Sequence, residues 1–497
     1  MLISKSKYTS FITCPKQFYL KCHRPHLKGE LDAGMENLFQ MGTEAGEVAH
    51  GLFDGIQNVK TLKKDGWPDI FQMCEKTKEL VSKDCSAIAE ASFSGKGVYC
   101  AVDILKNNFD GTWDIYEVKT SSRRIPIYFH DIAFQKYCLE KNGIKINKCH
   151  LVTINGKYVR EGEIEVKKLF NIENICGVLE PFSEMVEEKL KKAQEVYALD
   201  EVKIDLNESC ASPYPCCFYK HCSAHLPKNN IFNLYRMTGQ EKFEHYRKGI
   251  VSFEDIRESK ISLSEKQARQ LDTTLDDLPP FVDKQGIKTF LEEIKFPIYF
   301  LDFETYSSAV PFFDGQSPHQ LVPFQYSLHI LQKCGTIEHK EFLANEAKDE
   351  YKKLAEKLAK DIKTDGGSVV AYNKGFEMSC IKKMADAFPK LEKKLHDAIF
   401  RMIDLLDVFQ GGFYYNKEMG GSFSIKSVLP ALFPNHPVLD YHKNEEIKGG
   451  MSASLAFVSL KNKTKTERAR IRDNLLKYCH LDTLAMVEIY KELCRVI

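Results

Sequence analysis

The chain has 497 residues, with 70 Lys and Arg against 69 Asp and Glu and a formal net charge of +1. The length predicts two to four domains. The balanced charge excludes overall basicity, so any groove for nucleic acid must be local. Sixteen cysteines in a chain this long do not indicate a secreted disulfide scaffold. The polar first residues and the lack of an apolar run of membrane length predict a cytoplasmic protein with no membrane partner.

The first segment, residues 1–226, has mixed α/β character. Residues 10–20 are predicted to form one helix that runs through Cys14 and Pro15. Residues 41–50 are predicted to form a second helix with His50 near its middle. A single histidine in a helix is usually structural, so His50 alone indicates no function.

Two strands are predicted next, at residues 98–105 and 113–120, joined as a hairpin by an Asn- and Gly-containing turn. Glu117 and Lys119 share a face because strand side chains alternate, and Asp103 can lie beside them across the hairpin. Two carboxylates can bind Mg²⁺ or Mn²⁺, and the ammonium can stabilise charge on a phosphate. An exposed strand face can carry the same Glu-x-Lys pattern.

Residues 1–226 resemble the RecB-like branch of the PD-(D/E)XK nucleases that carries an iron–sulfur cluster, as in AddB-type recombination nucleases and CRISPR adaptation nucleases. The resemblance implies a restriction-endonuclease-like α/β fold. The residues that carry it are Cys14-Pro15, His50, Glu90, Asp103, Glu117-Val118-Lys119-Thr120 and Gln135. The implied roles are metal ligands for His50, Asp103 and Glu117, catalysis for Lys119, and auxiliary positions for Glu90 and Gln135.

Four cysteines crowd residues 210–222, after a charged helix predicted at about residues 182–199. Cys210, Cys216 and Cys222, with the distant Cys14, make a set of four thiolates that suits Zn²⁺ or an iron–sulfur cluster. Cys217 can take the place of Cys216. In the resembling family, one cysteine from the start and three from the end of the domain bind a 4Fe–4S cluster. We therefore favour the cluster over zinc.

Residues 227–293 contain short amphipathic patterns, at 231–247 and 262–271, and a helix start capped by Ser252. This composition predicts a helical connector. A helix–hairpin–helix contact to DNA is an alternative interpretation of the same residues.

The last predicted domain, residues 294–497, begins with an apolar strand at 297–305 that contains Asp302 and Glu304. The two carboxylates point to the same side of the strand. Two like charges on an apolar strand are costly without a cation, so the pair predicts a metal site. The alternative is an edge strand with a solvated face.

Further strands are predicted at 326–331, 338–342 and 368–372, and helices at 345–362 and 463–496. The strand at 368–372 leads through Asn373 to Glu377 at the start of a helix. In the final helix Tyr478 and Asp482 are four residues apart and therefore share a face.

This order of motifs resembles the DnaQ-like exonucleases of the DEDDy group, which act from the 3′ end and have an RNase H-like fold with a mixed sheet. The resemblance implies four metal ligands and a tyrosine that orients the attacking water. Glu377 stands where the family has aspartate. The implied ligands are Asp302, Glu304, Glu377 and Asp482, the tyrosine is Tyr478, and the possible substrate contacts are Asn373 and Lys426. Asp404 is a possible further carboxylate.

Both resemblances predict phosphodiester hydrolysis that depends on Mg²⁺ or Mn²⁺, with DNA favoured over RNA as the nucleic-acid substrate. Two alternatives stay open. The chain can be a protein that binds nucleic-acid ends with one or both sites inactive, or it can be an RNA-processing exonuclease.

Overall fold

A computed structural model describes residues 1–30, 32–437, 439 and 446–497. The chain has a mixed α/β fold and divides into two compact units, residues 1–225 with 308–320 and residues 226–307 with 321–497. None of the helices in these described ranges is both long enough and apolar enough to cross a membrane.

The first unit contains a mixed sheet with the strand order β2-β3-β4-β5-β6-β7, and β1 pairs with β4. Its strands are β1 (Ile3–Ser4), β2 (Gln57–Asn58), β3 (Ala87–Gly95), β4 (Val98–Asn107), β5 (Trp113–Lys119), β6 (Ile146–Ile154) and β7 (Phe170–Asn174). Its helices are α1 (Lys5–Thr13), α2 (Pro15–His23), α3 (Ala33–Ala49), α4 (Ile70–Ser82), α5 (Pro126–Lys141), α6 (Val166–Leu169), α7 (Cys176–Tyr197) and α8 (Tyr219–Cys222).

The predicted hairpin is confirmed, since β4 and β5 pair antiparallel with Ile104 opposite Tyr116. Helix α5 follows β5 and buries Phe134 and Leu139 in the core of this unit. The burial of apolar residues on the strands and on α5 fixes this helix against the sheet. The end of β5 and one face of α5 are thereby brought together.

The predictions for the first helices were wrong in two respects. The helix expected at 10–20 is broken at Cys14, whose backbone is extended with φ −159° and ψ 118°, because a residue before proline is disfavoured in the helical region. The helix expected at 41–50 begins at Ala33 and ends at Ala49, so His50 follows its last turn and does not lie in its middle. The long helix α7 begins at Cys176, six residues before the predicted start.

The second unit contains a five-stranded mixed sheet in the order β11-β10-β9-β12-β13 and a two-stranded sheet of β8 and β14. Its strands are β8 (Phe281–Val282), β9 (Ile298–Tyr306), β10 (Val322–Leu331), β11 (Ile337–Leu343), β12 (Val369–Ala371), β13 (Met402–Asp404) and β14 (Tyr414–Tyr415). Its helices are α9 (Gly239–Arg247), α10 (Phe253–Ser259), α11 (Glu265–Leu275), α12 (Lys284–Glu292), α13 (Tyr351–Asp361), α14 (Lys374–Ala387), α15 (Glu392–Phe400), α16 (Leu406–Gly411), α17 (Ile425–Leu432), α18 (Gly450–Ser459) and α19 (Lys465–Val496).

Strand β9 lies in the middle of the five-stranded sheet, antiparallel to β10 and parallel to β12. This position contradicts the interpretation of β9 as an edge strand. The predicted helix at 345–362 begins only at Tyr351. The predicted final helix is confirmed as α19, which is capped by Thr464 through its side-chain contact with the amide of Glu467.

Residues 227–293, predicted as a connector, pack within the second unit. Gln270 illustrates this, because its side chain accepts a hydrogen bond from the amide of Tyr235. The Tyr235 ring in turn contacts the Phe423 ring, with 4.7 Å between their centres. The predicted helix cap is confirmed, since the Ser252 hydroxyl accepts a hydrogen bond from the amide of Asp255.

Candidate active sites

The end of strand β5 and helix α5 bring four polar side chains of the first unit together. Lys119 Nζ donates to Glu117 Oε1 at 2.5 Å and to Asp131 Oδ2 at 2.8 Å. Gln135 Nε2 donates to Glu117 Oε2 at 2.7 Å and to Asp131 Oδ1 at 3.0 Å. Lys5 from α1 adds a second ammonium 3.0 Å from Glu117 Oε1. The predicted proximity of Glu117, Lys119 and Gln135 is therefore present.

The pKa values of the two predicted carboxylate ligands of this cluster, Asp103 and Glu117, are shifted in opposite directions. Asp103 lies on β4 and accepts a hydrogen bond of 2.7 Å from the amide of Val118. Burial, followed by the negative charge of Glu117, raises the pKa of Asp103 to about 7. Burial also acts to raise the pKa of Glu117, but the ammonium groups of Lys119 and Lys5 outweigh it and hold that pKa well below its usual range.

His50 and Glu90 lie near each other. Burial lowers the pKa of His50, and the charge of Glu90 partly opposes that effect. Glu90 has a left-handed φ of +57° inside β3, where the flanking residues Ala89 and Ala91 keep their pairing with Ile104 and Val102 of β4. A left-handed backbone costs a non-glycine residue about 1 kcal/mol or more, and such strain is frequent at functional sites.

The predicted ligand set of His50, Asp103 and Glu117 is only partly assembled. Within the described ranges, the ligand atoms of these three residues do not all lie within 4.8 Å of one another. Asp103 interacts with Glu117, whereas His50 interacts with Glu90.

Two residues of the first cluster, Asp131 and Lys5, were not predicted from the sequence as site residues. Asp131 lies one helical turn before Gln135 on α5, so the spacing of four residues that places both on one face was a usable signal. Lys5 is separated from Glu117 by 112 positions, and no local pattern in the sequence indicates that contact.

The four predicted cluster cysteines surround one small cavity of the first unit. Cys14, Cys210, Cys216 and Cys222 line it together with Lys16 and Phe218, and all four are free thiols. The break between α1 and α2 places Cys14 at the start of α2, and α2 packs through Tyr19 and Leu20 against the cysteine-containing loop. The distant first cysteine is therefore brought to the other three.

The cavity distinguishes Cys216 from its neighbour. Cys216 lines this cavity, whereas Cys217 lines a different groove and its carbonyl oxygen accepts a hydrogen bond from the amide of Gly29. Burial raises the pKa of Cys216 to about 12, and neighbouring Cys217 and Cys210 add to the effect. Of the two alternatives, Cys216 is the residue that faces the other three cysteines.

The distances between the four sulfur atoms help to distinguish a zinc site from an iron–sulfur cluster site. A tetrahedral zinc site with Zn–S bonds of about 2.3 Å holds its sulfurs about 3.8 Å apart. Within the described ranges, no three of these four sulfurs lie within 4.8 Å of one another. A cubane binds each thiolate to a different iron and therefore holds its sulfurs further apart than a single zinc ion does.

A second polar cluster lies under α19 in the second unit. Asp302 and Glu304 project from β9, and their carboxylates lie within 4.8 Å of each other and of the Cys479 sulfur. The Cys479 thiol donates to Asp302 Oδ2 at 3.5 Å. Cys479 was not predicted as a site residue, although its place between Tyr478 and Asp482 was a signal for it.

Four carboxylates from three elements act on one another in this cluster. Burial raises the pKa of Asp302 well above its usual range, and the charges of Asp482, Glu304 and Glu377 add to it. The pKa of Glu304 is raised by burial and then by Asp482 and Glu377. Buried carboxylates that destabilise one another's ionised forms are a typical cation site.

Tyr478 and Lys426 complete the surroundings of the carboxylates. Burial, followed by the charges of Asp482 and Glu304, raises the pKa of the Tyr478 hydroxyl far above its usual range, so this group stays protonated. Lys426 Nζ lies 5.2 Å from the centre of the Tyr478 ring, and its positive charge lowers the pKa of Glu304. The predicted proximity of Lys426 to the site is therefore present.

Glu377 lies at the start of α14 and is only 2% exposed. Its Oε2 atom is buried and makes no hydrogen bond. Burial, with a contribution from Asp404, raises the pKa of Glu377 to about 8. A buried carboxylate oxygen without a hydrogen-bond donor is costly, and a cation would remove that cost.

Asp404 and Asn373 have mainly structural contacts. The carboxylate of Asp404 accepts hydrogen bonds from the amides of Asn373, Lys374 and Leu406 at 2.8–3.0 Å. Asn373 has a left-handed φ of +73° and caps α14 without a side-chain hydrogen bond. Asp404 thereby fixes the backbone that carries Glu377.

Two comparisons with known proteins give matches. Residues 299–424 match a family model described as a domain of unknown function, DUF2779. The chain is similar to the uncharacterized protein MG366 homolog of Mycoplasma pneumoniae, with 26% identity over 229 residues that cover 42% of this chain and 34% of that protein. The chain thus spans about a third of the length of this curated relative. The matched range of the family model contains Asp302, Glu304 and Glu377.

Proposed function

We propose that the protein is a metal-dependent nuclease that hydrolyses phosphodiester bonds, with DNA as the favoured substrate, and that it works in the cytoplasm. The observation that carries the proposal is the buried cluster of carboxylates from β9, α14 and α19, whose ionised forms destabilise one another. The mixed sheet of the second unit agrees with a DnaQ-like exonuclease domain.

In this proposal Asp302, Glu304, Glu377 and Asp482 hold Mg²⁺ or Mn²⁺. When bound, divalent cations supply activation of water and neutralisation of charge on the phosphate. The Tyr478 hydroxyl, kept protonated by its surroundings, can hold a water molecule by hydrogen bonding. The Lys426 ammonium lies beside the same tyrosine and can bind a substrate phosphate.

The first unit is proposed as a second nuclease module of the RecB-like PD-(D/E)XK type. Asp103 and Glu117, with His50, would hold the divalent cation. The Lys119 ammonium would stabilise charge on the phosphate, and Asp131 holds Lys119 in place at 2.8 Å. Gln135 orients both carboxylates that contact Lys119. The strained backbone at Glu90 supports a role for that region in the site.

The cysteine cavity is proposed to bind a 4Fe–4S cluster through Cys14, Cys210, Cys216 and Cys222. Within the described ranges no three of these sulfurs lie within 4.8 Å of one another, which favours this cofactor over zinc. Because Cys14 directly precedes α2 and the other three cysteines lie at positions 210–222, the cluster would link the start of the first unit to residues near its end.

The test of the main proposal is cleavage of DNA and RNA labelled at either end, with Mg²⁺, Mn²⁺ or EDTA. We expect Asp302→Ala to abolish shortening from the 3′ end, and Glu356→Gln, on the exposed side of α13, to leave it unchanged. Cleavage that persists in EDTA, or that is equal in wild-type protein and in Asp302→Ala, would refute the proposed role of the second unit.

A second candidate function, binding of nucleic-acid ends without cleavage, is favoured for the first unit by one observation. Both carboxylate oxygens of Glu117 are already occupied by donors of the protein, namely Lys5, Lys119 and Gln135. A cation must compete with those donors. Tight binding of DNA by a double variant of Asp302→Ala and Lys119→Ala, with no cleavage by Asp302→Ala alone, would support this function for the first unit.

A further inference from the structure

Three histidines of the second unit lie together on the sheet. His329 on β10 pairs directly with His339 on β11, and His480 comes from α19. The ring centres are 4.5 Å apart for His329 and His339, 4.7 Å for His329 and His480, and 4.5 Å for His339 and His480. One ring nitrogen from each residue lies within 4.8 Å of the other two.

Hydroxyl groups fix the orientation of two of these rings. His329 Nδ1 is hydrogen-bonded to the Thr483 hydroxyl at 2.7 Å, and His339 Nε2 to the Ser327 hydroxyl at 2.9 Å. The two hydroxyls are hydrogen-bonded to each other at 2.7 Å. A histidine that binds a metal through one nitrogen usually has the other nitrogen hydrogen-bonded in this way.

The chemistry of the donors indicates which ion they would take. Burial lowers the pKa of His329 to about 3 and that of His339 to about 4, so both rings are neutral at neutral pH, as metal ligands must be. Three neutral imidazoles suit zinc, whereas Mg²⁺ prefers oxygen ligands. Nitrogens at about 2.1 Å from a tetrahedral zinc lie about 3.4 Å apart, which small side-chain rotations can reach.

We propose that His329, His339 and His480 bind one zinc ion, separate from the cations of the carboxylate cluster. Water or the nearby carboxylate of Glu341, whose charge acts on His480, would take the fourth position. The ion would link helix α19 to strands β10 and β11. Because His480 lies between Tyr478 and Asp482 on α19, zinc would fix the segment of helix that carries both residues. Zinc binding itself does not depend on the proposed nuclease activity.

The first experiment measures bound zinc. The full-length protein is stripped with a chelator, supplied with zinc in excess Mg²⁺, freed of unbound ions, and its metal content is determined by mass spectrometry. We expect His339→Gln and His480→Gln to contain one zinc fewer per chain than wild-type protein. His396→Gln, a substitution of a half-exposed histidine on α15, and Asp302→Asn should retain it. Equal zinc content in wild-type protein and in His339→Gln would overturn the proposal.

A second experiment keeps all three imidazoles and so avoids variants that fold poorly. Ser327→Ala removes the hydroxyl that contacts His339 and the Thr483 hydroxyl, and loss of such a contact lowers metal affinity about 10- to 100-fold. Co²⁺ bound to the wild-type protein should give the visible spectrum of a tetrahedral site with nitrogen ligands. Unchanged zinc affinity in Ser327→Ala, or a Co²⁺ spectrum with thiolate bands alone, would contradict a three-histidine site.

Discussion

Replacement of Glu377 by glutamine should change how the stability of the second unit depends on pH. Glu377 is buried, and its pKa is raised from 4.5 to about 8. Between these two values the folded protein holds a proton that the unfolded chain has released. The stability that the protonated Glu377 contributes is therefore full below pH 4.5, and it is lost as the pH rises from 4.5 to about 8.

The size of this effect follows from the interval between the two pKa values. Each pH unit in that interval costs about 1.4 kcal/mol of unfolding free energy. The loss accumulates to roughly 5 kcal/mol above pH 8 in the absence of a cation. Glu377→Gln keeps the size of the side chain but cannot ionise. The free energy of unfolding of this variant should therefore fall less steeply with pH than that of wild-type protein, and the difference in slope should correspond to one proton.

Hydrogen–deuterium exchange of peptides from β9 and α14 measures opening of this unit alone. In EDTA between pH 5 and 8, we expect a shallower loss of opening free energy for Glu377→Gln than for wild-type protein. Mg²⁺ should flatten the wild-type curve, because a bound cation favours the ionised carboxylate. Glu356→Gln, on the exposed side of α13, is the control. Identical slopes for wild-type protein and Glu377→Gln in EDTA would refute this reasoning.

Three further outcomes test the proposed sites. Lys119→Ala, in a protein that also carries Asp302→Ala, should reduce any remaining cleavage about 100-fold or more, as measured with labelled DNA; unchanged cleavage would leave Lys119 without a catalytic role. Tyr478→Phe should slow shortening from the 3′ end but leave the Mn²⁺ affinity, measured by calorimetry, unchanged, because it removes a hydroxyl and no metal ligand. Weakened Mn²⁺ binding would contradict the role of Tyr478 in holding water. Protein purified without oxygen should be brown, with absorption at about 400 nm that Cys222→Ala bleaches, whereas a colourless preparation with stoichiometric zinc would reject the cluster.

Local patterns predicted the elements that carry the carboxylates of the second unit. Alternation along β9 placed Asp302 and Glu304 on one side, and helical spacing placed Tyr478 and Asp482 together. These patterns succeed because each depends on residues close in sequence. The sequence alone did not show that Glu377, with a longer side chain than aspartate, stays within electrostatic reach of Asp302.

Contacts between distant segments could not be predicted in the same way. The approach of Lys5 to Glu117 depends on how α1 packs against the sheet and α5. The three histidines likewise meet only through the pairing of β10 with β11 and the position of α19. Pairing register and helix packing arise from the whole core, and a single sequence without those contacts does not determine them.

Helix α19 connects the two clusters of the second unit. Its Cys479 thiol contacts Asp302, and four residues later Thr483 contacts His329 and Ser327. Ser327 in turn pairs with Asp302 in the sheet. A one-residue shift of the helix would therefore separate the carboxylates and the histidines from their partners at once. Zinc at the histidines, as proposed, would oppose such a shift and would so keep the neighbouring carboxylate cluster assembled.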